Sequence, residues 1–326
     1  MNITGPVAER MLRVAAQVAL SAPSILNTQP WRWQIDTADG RAQLRLRADR
    51  SRQLLVNDAD GRLLTVSCGA ALHHARLALA VLGRAVRVEL MPDPADPDLF
   101  ATIDLTDAPH DASDAERVAY AAITQRRTDR RGFSRVAVAD EDARALVIAA
   151  EEAGAHLHLI HDEDITELAS TADQVAGLQF ADAAYRSQLA NWVERRPADA
   201  GVPTSTAVGP SPRRVPVRQF TGAAQLDPGE FSDAGARYAV VFTAGDGPAD
   251  WLRAGEGLSA VLLTATAHGL ATAPISDVTE TVVTRERLRR MLSGIGYPQM
   301  ALRIGYAPPG APPASPRRRP RDVIDM

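Results

Sequence analysis

Two stretches of this chain carry one pattern. Residues 69–83 begin Gly-Ala-Ala-Leu and end at Gly83, and they align without a gap on residues 255–269, which begin Gly-Glu-Gly-Leu and end at Gly269. Gly69 matches Gly255, Leu72 matches Leu258, Leu77 matches Leu263 and Gly83 matches Gly269. A short apolar strand-like stretch follows each copy. Helical sequence precedes each, Ala15-Ala16-Gln17-Val18-Ala19 against Ala149-Ala150-Glu151-Glu152-Ala153. Self-similarity constrains a fold strongly, because both copies must solve the same burial problem. Two readings are open at this point: a chance match between amphipathic helices, or two related halves in one chain.

Hydrophobic spacing predicts helices over residues 6–21, 65–82, 115–124, 141–153, 249–268 and 286–292, and a strongly helical 162–194. Alternation predicts strands over 42–48, 86–90, 103–105, 156–160, 238–243 and 300–304. Residues 58–61 and 273–277 read as turns, and 107–114, with a proline and several aspartates, as a junction. The chain therefore divides into 1–110 and 111–326. From Arg195 to Pro228 lie six prolines with Gly201, Gly209 and Gly222, so about 195–230 is an insertion, either a surface excursion or a lid.

Residues 21–33 read Ser-Ala-Pro-Ser-Ile-Leu-Asn-Thr-Gln-Pro-Trp-Arg-Trp. Pro23 ends the first helix, since it lacks an amide hydrogen and disfavours α geometry at Ala22. Five polar groups follow closely: Ser21, Ser24, Asn27, Thr28 and Gln29. Such a loop suits a flat heteroaromatic ligand with carbonyls and ring nitrogens; it also suits a plain helix-to-strand turn with a buried tryptophan. A second basic run, Arg126-Arg127-Thr128-Asp129-Arg130-Arg131, reads either as a solvated helix end or as an anion grip. The chain has no lysine, which excludes a Walker A lysine and a pyridoxal Schiff base. Any anion held by a cationic side chain must be held by arginine, whose planar fork matches phosphate.

Pro23-Ser24-x-x-Asn27-x-Gln29-Pro30-Trp31 resembles a signature of the FMN-dependent nitroreductase superfamily. Arg126-Arg127-Thr128-x-Arg130 resembles the family's Arg-Arg-Ser-x-Arg opening, with threonine keeping the hydroxyl. The duplicated layout with a lid resembles the Acg-like branch. The resemblance implies an α+β nitroreductase-like fold of two related halves, a fused pseudo-dimer with mainly antiparallel sheets flanked by helices. It implies FMN as cofactor and NAD(P)H as reductant, feeding a small electron-poor acceptor such as a nitroarene or quinone. The alternative is an FMN-storing protein whose lid covers the flavin. By the same resemblance Pro23, Ser24, Asn27, Thr28, Gln29, Pro30 and Trp31 meet the flavin, and Arg126, Thr128 and Arg130 its phosphate. Pro274, Ile275, Ser276 and Asp277 pass along the ring, and the late basic motif puts Arg318, beside Arg319, at the phosphate. No side chain need act as nucleophile. The two half-signatures are complementary, so one chain is expected to supply a complete site, with a homodimer still open.

A net charge of −4 and a pI near 6.0 argue against a nucleic-acid partner. The single cysteine, Cys68, excludes an intrachain disulfide and reads as a core residue. No apolar run reads as long enough to cross a membrane, and residues 1–13 lack a signal-peptide core, so the expectation is cytoplasmic. Gly255-x-Gly257-x-x-Ala260 superficially matches a dinucleotide fingerprint, but that motif must open a helix directly after a strand. Close helix packing explains the glycines better. His73-His74 and His156, His158 and His161 lack a placed carboxylate or third ligand, so no metal is expected.

Overall fold

The computed structural model describes residues 5–37, 42–194, 196–220 and 224–325. Arg195 and Gly222 of the Pro-rich segment, and residues 1–4 at the start, lie outside the described residues.

The first half runs α1 (Pro6–Ala19), β1 (Trp31–Asp36), β2 (Gln43–Ala48), α2 (Arg62–Val81), β3 (Arg84–Leu90), β4 (Leu99–Pro109) and α3 (Asp114–Ala122). The second runs α4 (Asp140–Glu152), β5 (His156–Leu159), α5 (Ile165–Ala181), α6 (Ala183–Val193), β6 (Arg237–Thr243), α7 (Pro248–Ala267), β7 (Ala271–Ile275), α8 (Val282–Met291) and β8 (Tyr297–Gly305). The tail adds β9 (Ile324–Asp325).

One sheet has the order β3-β4-β2-β1-β9 and the other β5-β6-β8-β7. Without β9 the two orders are the same circuit, and every pairing within them is antiparallel. The helices inside the circuits, α2 and α7, have 20 residues each. Each is followed, one residue past its cap, by a left-handed glycine, Gly83 at φ 79° and Gly269 at φ 73°. Of the 20 residues of α2, 17 are buried, so it is covered all round rather than on one face. It packs against α7 along its length, and the two helices join the sheet cores of both halves.

Several expectations need correction. Residues 273–277 are not simply a turn: Ala273, Pro274 and Ile275 end β7, and a short 3-10 turn begins at Asp277. β7 is an edge strand, where a proline without an amide hydrogen is tolerated. Residues 162–194 form two helices, broken at Asp182, whose carboxylate caps α6 by accepting from the Ala184 N–H at 2.8 Å. The junction at 107–114 is shorter than expected, because β4 runs on to Pro109 and Ser113 already caps α3 with Glu116. α2 is long and apolar enough to cross a bilayer by length and composition alone, contrary to the sequence reading; it is the packed central helix of the fold. Gly255 and Gly257, by contrast, lie mid-helix in α7 as expected, with Gly255 against Gly69 of α2.

β9 pairs parallel with β1, Ile324 opposite Trp33. The last residues of the second segment thus complete the sheet of the first. Trp31 and Trp33 are fully buried in β1.

Candidate functional site

The loop after α1 is built on left-handed backbone. Leu26, Asn27 and Gln29 have φ values of 44°, 53° and 52°. Such non-glycine conformations cost of order 1–3 kcal/mol each and persist only with outside support. Ser24 Oγ accepts from the Gln29 N–H at 2.9 Å, and Ser67 Oγ of α2 accepts from the Ile25 N–H at 3.1 Å. Asn27 Nδ2 donates to the carbonyls of Gly201 (3.1 Å) and Pro316 (3.0 Å). Gln29 Nε2 donates to Asp199 O at 2.8 Å, and its Oε1 accepts from the Arg318 N–H at 2.9 Å. The loop is therefore tied to the Pro-rich segment on one side and to the tail on the other.

This loop walls a cleft between the halves. The first compartment has a cavity volume of about 110 Å³, below the roughly 300–1,000 Å³ usual for a small-molecule site. Residues 23–26 line one part of it and residues 273–277 another. Val66 and Ser67 of α2, Leu258 of α7, and Met300 and Arg303 of β8 also contribute. Val217, Arg218 and Phe220 of the Pro-rich segment line it too, which is how a lid would be placed.

A second compartment shares Pro23, Ser24, Leu26, Thr128 and Arg130 with the first, so the two are continuous. It adds Ser21, Asn27, Arg126, Arg127, residues 313–315 and Arg317. The 126–131 run is held along β7 by a bridge between Thr128 and Thr272, with the Asp129 N–H donating to Thr272 O at 3.0 Å.

Charge is concentrated here. Arg126 is 5% exposed, and its Nε and Nη1 have no hydrogen-bond partner among the described residues. Burial, with Arg317 and Arg127 close by, pushes its pKa down to about 9. Burial and Arg127 bring Arg317 down to about 10, and burial with Arg218 does the same to Arg130. The neighbouring carboxylates are engaged elsewhere: Asp129 binds Arg131 and Asp233 binds Arg303, each at 2.7 Å. Among the described residues no ion pair reaches Arg126, Arg127, Arg130 or Arg317. Crowded buried cations without a counter-charge are unfavourable alone and become favourable around an anion.

The far end of the first compartment is acidic. Asp277 is 3% exposed, and burial, partly offset by Arg218, pushes its pKa up to about 6. Arg218 donates to Glu280 and, at 3.2 Å, to Ser276 Oγ.

No protein-family model matches the chain. It is 38% identical, over all of its length and 94% of the relative, to a Mycobacterium tuberculosis protein named "Putative NAD(P)H nitroreductase Rv3131". A second protein of that organism, "Putative NAD(P)H nitroreductase acg", is 34% identical over 97% of this chain and 96% of its own. A solved Bacteroides fragilis nitroreductase with bound FMN aligns at 16% identity over 62% of this chain and 94% of its own, with a TM-score of 0.40. The chain is a member of the nitroreductase superfamily. Within it, the chain belongs with the Acg-like proteins, to which it is related from end to end.

Of the residues singled out in the sequence, Pro23, Ser24, Asn27, Arg126, Thr128, Arg130, Pro274, Ile275, Ser276 and Asp277 line the cleft. Thr28, Gln29, Pro30 and Trp31 do not. Gln29 and Thr28 support the loop, Pro30 O accepts from the Asp49 N–H, and Trp31 is buried in β1. Arg318 and Arg319 depart from the expectation. Arg318 Nη1 donates to Gln29 O, Trp31 O and the Asp49 carboxylate, whereas Arg319 lies at the surface beside Asp322. Arg317 occupies the cleft instead, donating to Asn27 Oδ1 at 2.8 Å. In a chain stretched between Pro316 and Pro320, consecutive side chains leave on different sides, so a one-residue register decides which arginine faces in. The arginine run was visible in sequence, but its register was not. Ser67, Leu258 and the lid residues Val217, Arg218 and Phe220 had no local signal beyond helix and proline content.

Proposed function

We propose that the chain is an FMN-binding oxidoreductase of the nitroreductase type, moving hydride from NAD(P)H to a small electron-poor acceptor such as a nitroarene or quinone. The observation that carries this is an arginine cluster around buried Arg126, without a counter-charge among the described residues, beside a mostly apolar compartment. A phosphate and a heteroaromatic ring on one molecule match that pair. Arg126, Arg127 and Arg317 would grip the phosphate, with Thr128 and Arg130 where the compartments join. Residues 23–26 and 274–277 would hold the ring from opposite sides, with a backbone N–H of Ser276 or Asp277 as a donor to its edge. FMN, when bound, supplies the hydride chemistry; the protein orients it, excludes water and stabilises charge.

The matching sheet circuits support an origin by duplication, with halves at about 1–110 and 111–326 and a lid at about 195–230. One chain would then supply one complete flavin site, and any homodimer would form through other surfaces. A cytoplasmic location follows from the need for dihydronicotinamide. A storage protein is the second reading, favoured by the lid residues Arg218 and Phe220 lining the ring compartment. Absorbance separates the two. A yellow protein bleached promptly by NAD(P)H under argon supports the oxidoreductase, and an unbleached one supports storage. A colourless protein that takes up no FMN overturns both.

A further inference from the structure

Two carboxyl groups and one guanidinium meet at the end of the ring compartment. Glu280, its side chain 2% exposed, receives Arg218 from the lid, Ser276 Oγ at 3.1 Å, Asn57 Nδ2 at 3.1 Å and Gln179 Nε2 at 2.8 Å. Asp277 lines the cleft, but among the described residues its carboxylate accepts from no side chain, taking a local backbone N–H, that of Val278, at 3.2 Å. The guanidinium that offsets burial at Asp277, that of Arg218, is thus committed to Glu280.

The other charged and titratable groups do not restore the balance. Arg62 donates to Thr279 O and the Gln299 carbonyl on the far side of the 3-10 turn, and the charges felt there include Asp58 as well as Glu280. Arg130 lies over the Phe220 ring at 4.9 Å, and the Tyr185 hydroxyl is held neutral by burial. Two buried carboxyls sharing one guanidinium favour the state in which one of them keeps its proton. The fuller set of hydrogen-bond donors belongs to Glu280, so the proton falls to Asp277.

We propose that Asp277 holds a proton in the cleft and delivers it to an acceptor oxygen, of a quinone or a nitro group, as that acceptor takes hydride. The inference rests on the function proposed above. A quinone gains hydride, with its two electrons, and one proton. The Asp277 O–H bond breaks, a hydroquinone O–H bond forms, and Asp277 is left as carboxylate. The dihydronicotinamide is oxidised, and water reprotonates Asp277 after product leaves. The remaining polar groups lining the compartment are serine and threonine hydroxyls and the guanidiniums of Arg130, Arg218 and Arg303. None of these changes protonation near neutral pH. Burial raises the Asp277 pKa to about 6, close to where a general acid works best.

The test uses the full chain loaded with FMN, reduced under argon and mixed with 1,4-benzoquinone across a pH series. The rate of quinone reduction is expected to fall as pH rises through about 6. Asp277→Asn should be slower by about tenfold or more below that midpoint and lose the dependence, whereas Asp277→Glu should regain it. Glu280→Gln frees Arg218 for Asp277 and should move the midpoint to lower pH. Infrared difference spectra give a readout independent of turnover: a protonated-carboxyl band that titrates with the same midpoint and is absent from Asp277→Asn. An unchanged band and rate profile in Asp277→Asn overturn the inference while leaving the proposed function standing. If Asp277→Asn does not fold, an unmoved midpoint in Glu280→Gln overturns it. A wild-type flavoprotein that reduces no quinone overturns the inference, and one that reduces neither quinone nor nitroarene overturns the proposed function as well.

Discussion

Gly69 and Gly255, the first matched pair of the repeat, lie against each other where α2 crosses α7. A Cβ on Gly69 would stand 2.1 Å from the Leu252 carbonyl oxygen, and one on Gly255 would stand 2.0 Å from the Val66 carbonyl oxygen. Each glycine thus meets the backbone three residues before its counterpart. The obstacle is backbone on both sides, so no side chain can swing away. The two halves share one core because these helices approach this closely.

Gly69→Ala and Gly255→Ala should each destabilise the protein by about 1–3 kcal/mol or more, as overpacking does in a dense core. Gly177→Ala in α5 is the contrast, since nothing lies within 4 Å of the added methyl. It should stabilise by roughly 0.5–1 kcal/mol, because alanine suits a helix interior better than glycine. Urea midpoints compare the three; a neutral Gly69→Ala would show that the crossing can open without cost.

The tail arginines should separate cleanly. Arg126→Ala and Arg317→Ala should weaken FMN binding by about 1.5–3 kcal/mol each, the usual worth of a charge-assisted contact. Arg318→Ala should instead lower stability, because it removes the donor to the Asp49 Oδ2 and to the carbonyls of Gln29, Trp31 and Asp322. Fluorescence titration with FMN, alongside thermal melts, distinguishes affinity from folding. Parental FMN affinity in Arg126→Ala would defeat the phosphate assignment.

Asp233 and Arg303 are both fully buried, joined at 2.7 Å, and Asp233 also accepts from the Phe133 N–H at 2.7 Å. Asp233→Ala would leave a buried guanidinium uncompensated, so a loss of about 3–5 kcal/mol is expected. Denaturant unfolding measures it, and a loss below 1 kcal/mol would show that the guanidinium finds another partner.

Asp277 should also shape stability against pH. Its carboxyl is raised from 3.8 to about 6 in the folded chain, so the folded state binds the proton more tightly. The associated stability is fully present below the unfolded value and is lost as pH rises through the folded one. Relative to Asp277→Asn, flavin-free wild type should therefore lose up to about 3 kcal/mol between roughly pH 4 and pH 6. Urea unfolding of both chains at stepped pH reads this directly, and parallel curves would contradict the raised value.

Flavin-to-protein stoichiometry, with light scattering for chain number, checks the completeness of the site. One FMN per chain is expected whatever the oligomeric state, because both compartments are lined by one chain. Two per chain would mean that the second half keeps a site of its own.

Much of the fold was legible locally. Helix periodicity located α2 and α7, their glycines marked the repeat, and alternation found most strands, because these patterns report burial within a few residues. The two complementary motifs, residues 23–31 and 126–130, were also legible, since their residue types are fixed by the groups they present. What only tertiary structure decided is where distant segments meet. The tail enters the first sheet as β9, and that parallel register turns Arg317 into the cleft and Arg318 onto Asp49. Gln29 carries a motif position yet anchors the lid and tail, because its left-handed backbone turns its amide toward Asp199 and Arg318. Arg218 and Glu280, 62 residues apart, form the pair that leaves Asp277 to share a guanidinium already committed elsewhere. Sequence specifies residue types and their local period; the register of a tail, the seat of a lid and the sharing of one buried charge depend on contacts between segments far apart in the chain, and only the assembled core brings those together.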